Sequence, residues 1–107
     1  MTYRVEIPPE VHAQIDAQVA YLRDEHVAEF TMADWLLGVY DGITGLREHP
    51  ARFPIDEIRT QIRGYEIRRL NYGEFAVFYR IDDDRRVVQI LTIRHGKRQP
   101  WLEEENI

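Results

Sequence analysis

Apolar side chains recur along the chain with two different periods, and the change of period separates strands from helices. Near the N-terminus Tyr3, Val5 and Ile7 alternate with polar residues, which predicts a half-buried strand over residues 2–7. Two stretches with an apolar residue at every third or fourth position follow, and each predicts a helix with one buried face. The first stripe consists of Val11, Ile15, Val19, Leu22 and His26, and the second of Met32, Leu36, Val39, Ile43 and Leu46.

Prolines and polar residues indicate where these two helices begin and end. Pro9 suits the first turn of a helix, because its missing N–H needs no partner there. Thr31, followed three residues later by Asp34, is similar to a capping box and predicts the start of the second helix. His49 precedes a proline, which pushes it out of the α region and predicts the end of that helix.

The C-terminal half of the chain predicts three strands in a meander. Residues 56–62 have the pattern of a helical turn inside an otherwise undecided segment, and a short strand follows at 65–70. After a turn at 71–73, residues 75–81 alternate with period two, and residues 87–94 are rich in β-branched side chains. The acidic segment between the last two runs predicts a hairpin, although without glycine its turn type stays open.

The predicted order β-α-α-β-β-β indicates a single α+β domain over residues 1–107. In this arrangement the sheet has an antiparallel core, and the two N-terminal helices pack on one of its faces. Alternation along the third predicted strand divides its side chains between the two faces. Phe75, Val77, Tyr79 and Ile81 are expected to face the helices, and Ala76, Phe78 and Arg80 to lie on an open face.

The charges are unevenly distributed on a chain whose net charge is −5. Residues 1–58 carry a balance of −7, residues 59–98 a balance of +5, and the last nine residues a balance of −3. A local basic field attracts phosphate groups or an acidic protein despite a negative total. The alternative interpretation, a solvated mixture of surface charges, stays open.

Composition excludes several classes of function. The chain has no cysteine, so a disulfide framework and a thiolate metal site are both excluded, and its histidines show no metal-ligand spacing. Neither a metal nor a cofactor is therefore predicted. The N-terminus lacks a signal pattern, and no apolar run approaches the roughly 20 residues of a membrane-spanning helix. A cytoplasmic protein without membrane contact is expected.

Basic side chains near the C-terminus are the candidates for chemistry. If strand register allows, Arg68 and Arg94 join Arg80 on the open face, where planar guanidinium forks match phosphate oxygens. His95 follows directly, and histidine is the residue type best suited to act as a general acid or base at neutral pH. The alternatives are arginines that keep an exposed strand soluble and a hydrogen-bonded histidine at a strand end. The candidate basic face comprises Arg68, Arg80, Arg94, His95, Lys97 and Arg98.

Four motifs in order give the chain a family resemblance: LREHPARFP at 46–54, EIRRL at 66–70, VFYRI at 77–81 and VQILTIRHGKR at 88–98. Their order and spacing resemble the RelE/ParE superfamily of bacterial type II toxin–antitoxin and plasmid-stabilisation modules. The resemblance covers roughly the whole chain. It implies a growth-inhibiting toxin, a small sheet with helices on one side, and a cognate antitoxin that forms a hetero-oligomer with it. Hydrophobic antitoxin contacts are expected around Trp35 and Tyr40.

The family divides by target. RelE-like members cleave messenger RNA on the ribosome without a metal, whereas ParE-like members poison DNA gyrase. Many ribonuclease relatives carry an arginine at the position of Ala76, and alanine cannot hold a phosphate. The ending His95-Gly96-Lys97-Arg98 resembles ParE-like sequences, so the ParE-like branch is favoured and no catalytic residue is assigned. A metal-independent endoribonuclease, and an inactive member that only binds its antitoxin, remain the alternatives.

Overall fold

A computed structural model describes residues 2–96 of the chain. Within this range the structure contains a four-stranded sheet, three α-helices and two short 3-10 turns. The elements are β1 (Arg4–Glu6), α1 (Pro9–Asp24), α2 (Glu29–Thr44), α3 (Glu57–Arg63), β2 (Arg68–Tyr72), β3 (Phe75–Asp82) and β4 (Val87–His95). The predicted α+β class and the order β-α-α-β-β-β are confirmed, and the helical turn indicated for residues 56–62 is the short helix α3 between α2 and β2.

The sheet has the strand order β1-β4-β3-β2. Strands β2, β3 and β4 pair antiparallel and form its core, while β1 pairs parallel with β4. The β3–β4 ladder shifts register between Phe78 and Tyr79, because Phe78 pairs with Thr92 and Tyr79 with Ile90. Leu91 is the extra residue of this bulge, which increases the local twist of the sheet.

The main core lies between the sheet and the helices α1 and α2. It is built from the predicted helix stripes and from the face of β3 that carries Val77 and Tyr79. Its buried members are Val11, Ile15, Val39, Ile43, Leu46, Leu70, Val77, Tyr79, Val88, Ile90 and Ile93. Tyr79 also donates a hydrogen bond of 2.6 Å from its hydroxyl to the carbonyl oxygen of Pro50. This bond ties the segment after α2 to the centre of the sheet.

Several predicted boundaries are wrong. Helix α2 begins at Glu29 after Ala28, without a side-chain cap, so Thr31 lies inside the helix and caps nothing. The helix ends at Thr44, and a 3-10 turn rather than more α-helix brings the buried Leu46 into the core. Helix α1 ends before His26, which is exposed and does not extend the buried stripe.

The turn between β2 and β3 is shorter than predicted. Asn71 and Tyr72 belong to β2, where they pair with Ala76 and Phe75. Gly73 turns the chain with a φ of 57°, a left-handed conformation that glycine adopts without a steric penalty. The hairpin is therefore tight, and it holds the first residues of β3 in register with β2.

We expect Tyr79 to make the stability of the domain fall at alkaline pH. Burial raises the pKa of Tyr79 from 10.0 to about 12 in the folded protein. The contribution of the neutral Tyr79 side chain to the free energy of unfolding is fully present below pH 10.0, the pKa of tyrosine in the unfolded chain. It is lost as the pH rises through about 12. The urea midpoint should therefore fall more steeply over this range in the parent than in a Tyr79→Phe variant. Parallel pH profiles would contradict this expectation.

Candidate functional site: an arginine-lined face of the sheet

The face of the sheet opposite α1 and α2 carries arginines from three elements. Antiparallel partners share a face of a sheet, so Arg69 lies beside Phe78 and Arg94 lies beside Ala76. Arg80 follows on the same face of β3, two residues after Phe78. We refer to Arg69, Arg80 and Arg94, together with Arg59 of α3, as the arginine face. It extends over about 13 Å along β3, since four residues of strand separate its ends.

Aromatic rings hold three of these guanidinium groups in place. The guanidinium carbon of Arg59 lies 4.3 Å from the centre of the Phe78 ring, and that of Arg69 lies 5.5 Å from it. Arg80 lies 4.4 Å above the ring of Tyr65. Such stacking favours the charged group and leaves its N–H donors directed sideways, where an acceptor can bind them.

Asp56 lies among the arginines and orders two of them. Its Oδ2 is 2.9 Å from Nη1 of Arg59 and 3.9 Å from Nη1 of Arg69. The same side chain caps α3 by accepting a hydrogen bond of 2.9 Å from the backbone N–H of Arg59. Asp56 thus lies near two of the four guanidinium groups. The arginine face is therefore a basic surface on an acidic protein.

The centre of this face is covered, contrary to the expected open face. Ala76 is 2% exposed and Phe78 is 1% exposed, and they form a second small core with Ile67. Helix α3 lies over Phe78 and Ile67, because its Arg59 stacks on Phe78 and its Thr60 hydroxyl accepts a 2.9 Å hydrogen bond from the N–H of Ile67. A ligand therefore reaches the arginines from the rim of the covered centre.

Arg68 does not join the other arginines. It pairs with Tyr79 and so lies on the side of the sheet that faces the helices. Its Nη1 donates hydrogen bonds of 3.0 and 2.6 Å to the carbonyl oxygens of Ala51 and Phe53, and its Nη2 is 3.3 Å from Glu66. The contacts fasten the segment before α3 to β2. Arg69, which sequence reasoning missed, takes the expected place beside Phe78.

His95 is also separated from the arginine face, although it follows Arg94 directly. It pairs with Phe75, and the two rings meet edge to face at 5.0 Å on the helix side of the sheet. Its Nε2 lies 3.5 Å from the carboxylate of Glu74. The sheet therefore stands between this imidazole and the guanidinium of Arg94. Lys97 and Arg98 lie outside the described residues.

The residues predicted for antitoxin contact lie on α2 and meet different neighbours. Trp35 contacts Phe75 edge to face at 5.2 Å and lines a cavity of about 710 Å³ together with His95. Tyr40 lies toward α1, where its hydroxyl is 2.7 Å from Nδ1 of His12. Burial, and to a lesser extent the charge of Asp16, raise the pKa of Tyr40.

Two further features bear on the class of protein. Across residues 2–96, no three histidine or acidic side chains meet in an arrangement that holds a metal ion. In the same part of the chain, no helix combines the length and apolar character that crossing a membrane requires.

Known proteins resemble this chain in sequence and in fold. The sequence model of a family described as ParE toxin of type II toxin–antitoxin system, parDE, matches residues 5–100. No curated protein sequence matches the chain. The toxin–antitoxin complex RelBE2 from Mycobacterium tuberculosis has a chain with a TM-score of 0.58 and 20% identity, covering 89% of this chain and 92% of that one. The archaeal RelE–RelB complex from Pyrococcus horikoshii gives 0.55 and 20%, covering 92% of this chain and 100% of the other.

These likenesses show that the fold is of the RelE/ParE type, as the motifs predicted. The structural likeness at 20% identity concerns the fold. The sequence match adds the family, because it spans most of the chain. The protein belongs to the family of ParE toxins of type II toxin–antitoxin systems.

Proposed function

We propose that this protein inhibits growth by binding a protein target, with DNA gyrase as the implied target, and that a cognate antitoxin neutralises it. The observation that carries the proposal is the separation of His95 from the arginine face by the sheet itself. A basic surface without a nearby imidazole suits recognition of an acidic protein surface better than acid–base catalysis.

The covered centre of the arginine face supports the same proposal. Cleavage of RNA without a metal needs a proton acceptor, a proton donor and phosphate-binding groups around one phosphate. Phe78 lies beneath Arg59 of α3, and Ala76 is buried beside it, so a messenger strand cannot reach the middle of the face without displacing side chains. The arginines around the covered centre remain suited to contact with a protein partner that binds on this face of the sheet.

A ribosome-dependent endoribonuclease is the second candidate, and one observation favours it. Arg94 is the cross-strand partner of Ala76, at the position where many ribonuclease relatives carry an arginine. Cross-strand partners lie about 5 Å apart, so the side chain of Arg94 begins next to the position at which the ribonuclease relatives carry their arginine. The two candidates therefore differ in an activity that is directly measurable.

We expect the purified protein to produce no cleavage of messenger RNA in a translating extract. Toeprinting of a translated message, with and without the protein, measures this directly. Cuts at the ribosomal A-site that disappear in an Arg94→Ala variant would contradict the proposal and favour the ribonuclease. An Arg85→Ala variant is the control, because Arg85 lies in the β3–β4 turn and pairs with Glu6 and Asp82.

Induction of the protein in cells tests the target. If gyrase is the target, DNA-damage signalling should rise while messenger RNA remains intact. A folded protein that changes neither would correspond to an inactive member that only binds its antitoxin. DNA-damage signalling and messenger RNA integrity, measured together, therefore separate all three functions.

We expect the protein to copurify with the product of a neighbouring gene that encodes its antitoxin. Its structural neighbours were solved as toxin–antitoxin complexes. The cavity beside Trp35 offers room for an apolar side chain, and the arginine face suits acidic ones. A disordered segment that folds on binding covers a large surface for its length. Failure of both neighbouring gene products to bind would contradict the proposal.

A further inference from the structure

Aromatic rings form the walls of the cavity beside Trp35. The cavity measures about 710 Å³, within the range of roughly 300–1,000 Å³ that is usual for ligand pockets. Five secondary-structure elements each contribute one ring: Tyr21 of α1, Trp35 of α2, Tyr72 of β2, Phe75 of β3 and His95 of β4. The cavity is therefore built by the fold as a whole, where the helices α1 and α2 meet the β2–β3 turn.

These rings hold one another in fixed orientations. The ring of Phe75 meets that of Trp35 edge to face with the ring centres 5.2 Å apart, and that of His95 edge to face at 5.0 Å. Gly38 lets the ring of Tyr72 reach α2, because a Cβ atom at position 38 would collide with the Tyr72 hydroxyl. Binding in the cavity therefore needs little reordering of its walls, since rings in mutual contact are already immobilised.

The charge around the cavity is negative. The carboxylate of Glu74 lines it, and none of the described residues that line it is a lysine or an arginine. Helices α1 and α2 together carry six acidic side chains and one basic side chain, a balance of −5, and all six acidic side chains are exposed. The faces of aromatic rings are also partly negative. The helix side of the sheet therefore attracts cations, whereas the arginine face attracts anions.

A cationic side chain suits this cavity better than a wholly apolar one. The side chain of Glu74 is 64% exposed, and its carboxylate lies 3.5 Å from Nε2 of His95. An apolar group that filled the cavity would remove water from this carboxylate and give it no new hydrogen bond in return. An arginine side chain has methylene groups for the apolar walls and a planar guanidinium that stacks on aromatic rings. The N–H groups of that guanidinium donate sideways to a carboxylate.

We propose that the cavity beside Trp35 binds an arginine side chain of the antitoxin, with its guanidinium against the rings and paired with Glu74. The inference rests on the proposed function, because it takes the antitoxin as the partner. The antitoxin then meets the two faces of the sheet with opposite charges: acidic side chains on the arginine face and a basic one in the cavity. A partner that lacks either charge binds less tightly, so the arrangement contributes to specificity.

Titration of the full chain with N-acetyl-arginine amide, followed by two-dimensional NMR, tests the cavity by itself. We expect the backbone amide of Gly73 and the indole N–H of Trp35 to shift, because both residues line the cavity. N-acetyl-citrulline amide is the matched probe, since it has nearly the same shape without the charge. It should bind about threefold more weakly or less tightly still. Equal shifts from both probes, or no shift from either, would overturn the proposal.

A charge-removing variant tests the same site against the antitoxin. Glu74→Gln should weaken the binding of the arginine probe and of the copurified antitoxin by about threefold or more. Glu57→Gln is the matched control, because Glu57 is exposed on α3, on the opposite face of the sheet, and should leave both affinities unchanged. Circular dichroism verifies that both variants are folded.

The remaining outcomes separate this inference from the proposed function. An antitoxin that binds the Glu74→Gln variant as tightly as the parent would overturn the arginine site and leave the proposed function intact. Failure of the antitoxin to bind the parent protein would contradict both. Tighter binding of the arginine probe after Arg98→Ala would identify an arginine of this chain as the occupant, and this result would also overturn the proposal.

Discussion

Replacement of Tyr79 by alanine is expected to lower the free energy of unfolding by about 3–5 kcal/mol, enough to leave much of the protein unfolded. Tyr79 is fully buried in the main core, and its hydroxyl bonds to Pro50 across 29 residues of chain. The variant loses the ring, creates a cavity and leaves a buried carbonyl oxygen without its donor. Urea denaturation followed by circular dichroism measures the loss.

Tyr79→Phe separates the hydrogen bond from the packing. It retains the ring and removes the hydroxyl, so the expected loss is about 1–3 kcal/mol. If Tyr79→Ala were no more destabilising than Tyr79→Phe, the ring would not be a principal part of the core. Phe78→Ala is a poor test of function for a related reason, because it removes the aromatic ring on which Arg59 stacks.

The faces of β3 were predictable from the sequence, whereas the faces of β2 were not. Strict alternation from Phe75 to Ile81 allows one assignment only, because a shift by one residue would expose the whole apolar set. Ile67, directly before β2, and Leu70 within it are an odd number of residues apart, and both are buried, each in a different core. The apolar pattern therefore supports either Arg68 or Arg69 on the arginine face. Pairing with β3 decides between them.

Helix α3 was predictable in its existence but not in its orientation. Asp56 and Gly64 are ordinary signals for a helix start and end, and both act so here. The spacing of Ile58 and Ile62 would direct them to the core by the usual rule. They lie outward because Arg59, on another side of α3, stacks on Phe78 of β3 and so faces the sheet. A tertiary contact thus reverses the sequence pattern.

The position of His95 depends on where β4 ends. A strand that stops at Arg94 leaves the histidine in a loop, where it is able to turn toward the basic residues. The structure continues β4 to His95, and period-two alternation then places it opposite to Arg94. One residue of strand length therefore changes the chemistry available on the arginine face.

Removal of charge from the arginine face is expected to relieve growth inhibition while the fold is retained. Arg80 and Arg94 are half-buried and lie at the two ends of this face along β3. Truncating a charge that is paired across an interface costs about 2–5 kcal/mol in binding, which corresponds to roughly 30-fold or more. We therefore expect Arg80→Ala and Arg94→Ala each to reduce toxicity at least tenfold, on the order of this estimate. The prediction extends to Arg98→Ala, although Arg98 lies outside the described residues.

Colony survival after induction measures this toxicity, and thermal unfolding of each purified variant monitors the fold. Arg85→Ala is the matched control, since its side chain is 55% exposed in the β3–β4 turn, away from the arginine face. Exposed charge changes alter stability by about 0.5 kcal/mol or less, so the control should stay toxic and folded. If Arg80→Ala and Arg94→Ala remain folded and fully toxic, the target binds elsewhere. The cavity beside Trp35 would then be the next surface to test, because it is concave and lies on the opposite face of the sheet.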